Sequence, residues 1–151
     1  MALVEQPYRV AGRRSPAPAK QLDAAWISVV EQLAQSELRG LPLVTGGRSA
    51  GARVACRTAS AVGAIGVLCL AFPLVPPARA GKAPSPSRLP ELEAVAVPTL
   101  VVQGTGDRFG MPPPSENRTV VEVRGDHSLR TDLVALATAV AEWLARLVPL
   151  Q

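Results

Sequence analysis

Ser49, Asp107 and His127 are the residues of this chain whose types and order could do chemistry together, and His127 is its only histidine. Ser49 centres the stretch Gly47-Arg48-Ser49-Ala50-Gly51, directly after the apolar residues 41–44 and directly before the helix-prone residues 52–61. A G-x-S-x-G at a strand-to-helix junction makes a sharp turn that exposes a serine hydroxyl above the edge of a sheet. Glycines at 47 and 51 are expected to let strand and helix approach closely, a side chain at either position being expected to clash. A hydroxyl so held becomes a nucleophile when a histidine takes its proton and a carboxylate fixes that histidine's tautomer. His127 is the only candidate base, in Gly125-Asp126-His127-Ser128, and Asp107 the leading acid, in Gly104-Thr105-Gly106-Asp107.

Each residue also has a plainer reading. Ser49 could belong to a structural Gly-Ser turn, and Asp107 could cap nearby backbone amides as turn aspartates do. His127 could be an ordinary loop residue. Asp126 is a rival acid, although side chains adjacent in sequence seldom meet in the required geometry. Arg48, at the variable position of the turn, either orients an acidic substrate or is simply solvated.

The elements that must position these groups follow from hydrophobic periodicity. Residues 4–8 are compatible with an extended segment, and 11–20 form a Pro/Ala/Arg loop. Leu22, Trp26, Val29, Val30 and Leu33 fall at helical spacing, so a helix is expected from 21 to about 38, stopped by Gly40. A strand at 41–45, the turn, a helix to about 61 and a buried strand at 65–71 follow. Residues 76–90 read as an irregular Pro/Ser/Gly connection, either bordering a substrate entrance or mere slack. Strands are expected at 98–103 and 119–123. A final helix is expected over 129–148, with Leu133, Leu136, Val140, Trp143, Leu144 and Leu147 on one face. Alternating strands and helices define an α/β class with a mostly parallel sheet flanked by helices.

Composition bounds the rest. The 151 residues suffice for one domain, expected to span 1–151, and 48% of them are apolar. The formal charge of +4 rests on scattered arginines, with Lys20 and Lys82 the only lysines. No basic cluster interleaves with aromatics, which argues against a nucleic-acid partner. Cys56 and Cys69 lack zinc-site spacing and read as small buried hydrophobes in a reducing compartment. Residues 1–14 hold no apolar core of a secretory signal, which points to the cytoplasm. The uncharged stretch 59–75 is short for a membrane span and is broken by Pro73, so no membrane partner is expected.

The residues resemble the α/β-hydrolase superfamily, and more narrowly a dienelactone-hydrolase-like branch of small bacterial proteins. That branch looks related to the hydrolase-like subunit of the nuclear non-specific-lethal acetyltransferase complex. The resemblance is carried by Pro7-Tyr8-Arg9 with Gly12-Arg13-Arg14, by residues 46–55 around Ser49, and by Leu70-Ala71-Phe72-Pro73-Leu74. It continues in Val101-Val102-Gln103-Gly104 with Asp107 and in Gly125-Asp126-His127-Ser128-Leu129. It implies that Ser49, Asp107 and His127 are a catalytic triad, in the chain order such hydrolases use. It also implies that the chain lacks the fold's first strands, one of which leads into the loop giving half of the oxyanion hole. Ala50 N–H remains as the donor that follows the nucleophile. Losing the other donor costs about 3–4 kcal/mol of transition-state stabilisation. The strand before Ser49 would then become a sheet edge open to pairing with a second copy of the chain.

The expected function is a serine hydrolase acting on a small-molecule ester or thioester through an acyl-enzyme, weakened by the missing loop and needing no cofactor or metal. The alternative is a catalytically impaired hydrolase-like binding or regulatory module.

Overall fold

The computed structural model describes residues 1–76, 81, 83 and 85–148. In chain order these form α1 (Pro7–Val10), α2 (Ala19–Gln35), β1 (Val44–Arg48), α3 (Ala50–Thr58), β2 (Gly66–Leu70), α4 (Leu89–Glu93), β3 (Thr99–Gly104), β4 (Arg118–Val123) and α5 (Leu133–Leu147). The four strands pair in parallel in the order β1-β2-β3-β4. Among the described residues β1 and β4 are therefore the two edges.

Side-chain parity explains the layers. Successive residues of a strand point to opposite faces. Val67, Cys69 and Val101 meet Ala52, Ala55 and Cys56 of α3 on one face, with Phe72 and Leu92 completing that core. Leu68, Leu70, Leu100 and Val102 meet Trp143, Leu136 and Val140 of α5 on the other. Both faces are covered, as parallel strands require. All six residues of β3 are buried. The two cysteines are buried as expected, one on α3 and one on β2, with their sulfurs 3.4 Å apart. Among the described residues no helix is long and apolar enough to cross a membrane.

Several boundaries differ from the sequence expectation. The first strand runs 44–48 rather than 41–45. Pro42 has no N–H to give a ladder, and Leu41 N–H instead closes a turn onto Leu38 O at 3.1 Å. Extended backbone continues through Gly46 and Gly47 up to the serine. Residues 4–8 are not an extended segment, because Pro7 opens the short helix α1, its missing N–H costing nothing in a first turn. Pro90 does the same for α4, inside and beyond the connection read as irregular. Of that connection, residues 77–80, 82 and 84 lie outside the described set. The last helix begins at Leu133 rather than 129. Asp132 caps it by accepting from Ala135 N–H at 3.1 Å, and Leu133 is 62% exposed instead of facing the core.

Candidate active site

Ser49, Asp107 and His127 all stand just beyond the carboxyl ends of strands, but of different strands. Ser49 follows β1 at one edge, Asp107 follows β3, and His127 follows β4 at the other edge. Three strand spacings separate the edges, about 14 Å. The loop after β4 therefore has to fold back across the end of β3. Gly104 is what lets it pass: a Cβ there would come within 2.5 Å of Asp126 O and 2.6 Å of Gly125 O. Arg48 secures the crossing from the far side, donating from Nη1 to Ser128 O at 3.1 Å. One N–H is thus bound to the histidine's own loop, and the side chain is otherwise exposed.

Ser49 adopts φ 54°, ψ −112°, a conformation rare for a residue with a side chain. Such strain costs of order 1–3 kcal/mol and persists only where neighbours enforce it. Ser49 N–H donates to Leu70 O at 3.0 Å, and Ser49 O accepts from Arg53 N–H at 3.3 Å, so β2 and α3 hold the turn at both ends. The two flanking glycines are not equivalent. A Cβ on Gly47 would lie 2.5 Å from the carbonyl carbon of Gly51, whereas one on Gly51 meets open space. The expected clash at Gly51 is absent because helix α3 directs that position away from β1.

The turn presents Ser49 Oγ 2.9 Å from His127 Nε2, and His127 Nδ1 lies 2.7 Å from Asp107 Oδ2. In the tautomer of a neutral imidazole that donates its Nδ1–H to the carboxylate, Nε2 is left to accept from the serine hydroxyl. The Asp107 side chain is 1% exposed and that of His127 24%. The two Asp107 oxygens face different partners: Oδ2 the imidazole, and Oδ1 the Phe109 N–H, from which it accepts at 2.9 Å as a turn aspartate would. The Phe109 ring lies 4.4 Å from the imidazole, tilted by 44°. Asp126 is turned to its own loop, accepting from Ser128 N–H and Oγ–H at 2.8 and 2.6 Å. The Ser128 hydroxyl, followed by its backbone N–H, holds the Asp126 carboxyl below the usual range.

Gln103 is the site residue that sequence reasoning passed over. Fully buried at the end of β3, its Nε2 lies 2.8 Å from Asp107 Oδ2, 3.0 Å from Phe72 O and 2.9 Å from Gly110 O. Two N–H groups serve three acceptors, so the amide is shared among the carboxylate and two loops. The available signal was a lone amide closing an otherwise apolar strand.

Ala50 is the first residue of α3, and the first N–H groups of a helix have no intrahelical acceptor. Its N–H therefore has no acceptor within the helix. A cleft of about 230 Å³ opens beside the serine, walled by Pro16, Leu22, Arg53, Arg57, Arg88 and Phe109 among others. Among the described residues no group of three or more His, Cys, Asp or Glu is placed to hold a metal ion.

Ser49, His127 and Asp107 meet at the carboxyl edge of a parallel sheet covered by helices on both faces. Residues 3–143 match the family described as the alpha/beta hydrolase domain, and the chain belongs to that family. Among solved structures it is similar to a lidless α/β serine hydrolase from Xanthomonas campestris, with TM-score 0.67 and 19% identity over 92% of this chain and 62% of that one. An α/β serine hydrolase homologue from Coxiella burnetii gives TM-score 0.66 and 16% identity over 88% and 63%. A Thermus thermophilus protein gives 0.63 and 22% over 88% and 65%. The chain thus spans less than two thirds of the length of each. No curated protein matches it.

Proposed function

We propose that the protein is a serine hydrolase that cleaves an ester or thioester through Ser49, His127 and Asp107. The observation that carries this reading is the unbroken pair of hydrogen bonds from Ser49 Oγ through the imidazole to Asp107, joined to a serine held in a strained turn. Ser49 Oγ attacks the acyl carbon as His127 Nε2 takes its proton, and Ala50 N–H stabilises the oxyanion. His127 returns the proton to the departing alcohol or thiol. Water, deprotonated by the same nitrogen, then attacks the acyl-enzyme and frees the acid and the serine. Asp107 keeps Nδ1 protonated and stabilises the imidazolium formed in each half.

Fluorophosphonate labelling of the purified chain tests this reading. Labelling is expected on the wild type and not on Ser49→Ala, with a circular-dichroism melt showing that both are folded. Hydrolysis of a 4-nitrophenyl ester is expected to fall in Ser49→Ala by about 10⁴-fold or more. A folded wild type that neither labels nor hydrolyses would show the relay to be a scaffold without turnover, the binding-module alternative.

A further inference from the structure

The charged side chains lining the cleft beside Ser49 are all arginines: Arg53, Arg57 and Arg88. Two are matched. Arg53 grips Glu91 through Nη2 to Oε1 at 2.5 Å and Nε to Oε2 at 2.8 Å. Arg57 grips Asp23 at 2.6 and 2.8 Å and reaches both Glu91 oxygens at 3.3 Å. Arg88 has no such partner. Its one side-chain hydrogen bond among the described residues runs from Nη1 to Pro73 O at 2.9 Å, and no described carboxylate lies within ion-pairing distance of it. Residues 77–80, 82 and 84 include no acid. Among the described residues, three guanidiniums against two carboxylates, Asp23 and Glu91, leave positive charge in excess at the cleft.

That excess is costly where it sits. Burial, and then the like charge of Arg53 with that of Arg57, pull the Arg88 pKa below the ordinary guanidinium value, against a smaller opposing pull from Glu91. A guanidinium nonetheless stays protonated. Four of its five N–H groups are unused within the described residues. A bound anion would relieve the repulsion and take up the free donors.

We propose that Arg88 recognises a carboxylate on the substrate, so that the substrate is a half-ester or half-thioester of a dicarboxylic acid whose carboxyacyl group passes to Ser49 as the alcohol or thiol departs. A carboxylate matches the planar fork of the guanidinium, which binds it through two parallel bonds. The cleft of about 230 Å³ beside Ser49 adjoins a second hollow of about 450 Å³, and Arg53 and Arg88 line both, so Arg88 stands where the two meet. The inference rests on the serine-hydrolase reading for turnover but not for binding.

The test compares mono-4-nitrophenyl glutarate with 4-nitrophenyl pentanoate, an uncharged ester of the same acyl length, on wild type, Arg88→Gln, Arg88→Lys and the remote control Arg146→Gln. Wild type is expected to favour the glutarate in kcat/KM by about tenfold or more, the factor of a hydrogen bond to a charged group. That ratio should collapse toward one in Arg88→Gln, persist in part in Arg88→Lys and be unchanged in Arg146→Gln. In parallel, glutarate is titrated into each protein and followed by NMR line shifts, a readout that needs no catalysis. Equal rates for the two esters, or a ratio unmoved by Arg88→Gln, would overturn the anion site while leaving the hydrolase reading intact. Glutarate that binds wild type but not Arg88→Gln, with neither ester cleaved, would leave the anion site standing and remove the hydrolase. If neither ester is cleaved and glutarate shifts no lines, the anion site falls as well.

Discussion

The buried amide of Gln103 links Asp107 Oδ2 to the carbonyls of Phe72 and Gly110. Gln103→Leu keeps the volume and removes the donors, so Asp107 Oδ2 and the carbonyls of Phe72 and Gly110 each lose one bond, Phe72 O keeping the one from Leu74 N–H. We expect kcat to fall by about ten- to a hundredfold, the equivalent of roughly 1–3 kcal/mol. KM should be unchanged, because Gln103 does not line the cleft. A fall shared by kcat and KM, or a loss of stability with no loss of kcat, would assign it a structural role alone. The flanking glycines give a paired prediction. Gly47→Ala forces a carbon against the backbone of Gly51 and should abolish folding of the turn. Gly51→Ala enters open space in a helix and should raise stability by about 0.5–1 kcal/mol in a denaturant titration. At this scale the candidate site was readable in the sequence where its chemistry demands a residue type: one histidine, one serine in a glycine-flanked turn, one aspartate beyond a strand. What could not be read was the asymmetry of Gly47 and Gly51, since a motif is written symmetrically while a turn is not, and the role of Gln103, whose partners arrive from loops far along the chain.

Elements were legible in kind and misplaced at their ends. Apolar runs identify four strands because parallel strands are buried on both faces, yet the run 41–44 overshoots the start of β1 since Pro42 cannot join a ladder. Likewise the apolar stripe of the last helix extends back to Leu129, which is buried at φ 52° in the loop before α5. Burial and helicity share one pattern there, and only the Asp132 cap separates them. Asp132→Ala should therefore cost about 1 kcal/mol, seen as a loss of about 2–4 °C in Tm for a chain of this size. The carboxylate also lies 3.7 Å from Arg124 Nε, but that arginine is 81% exposed, so the pair adds little. A cap effect would survive in high salt. An ion-pair effect would vanish, and would contradict this assignment.

Across the whole molecule, three helices are tied by one ionic network, in which Asp23 of α2 and Glu91 of α4 both bind arginines of α3. Burial would raise the Glu91 pKa, but the bonds and charges of Arg53 and Arg57 outweigh it and hold the carboxyl below 4.5. A depressed carboxyl stabilises the fold above its unfolded pKa, and that contribution is lost as pH falls through the lower folded value. The melting temperature should accordingly hold above about pH 5 and decline below about pH 4.5. Glu91→Gln should lower it at neutral pH and flatten the acid limb. An acid limb as steep in Glu91→Gln as in wild type would show that other carboxylates govern it. The network also joins the outer helices to the helix that begins beside Ser49, so the cleft wall and the turn are built from one set of contacts. The order β1-β2-β3-β4 carries a last consequence. Adjacent strands are rotated by about 20–25° on average, so roughly 60–75° of accumulated twist lies between the strand that delivers Ser49 and the strand that delivers His127. The hydrogen bonds of 2.7 and 2.9 Å that join Asp107, His127 and Ser49 span that angle. The coil of the sheet therefore helps set the distance at which the serine meets the imidazole, and β2 and β3, which carry Leu70 O and Gln103, fix it from within.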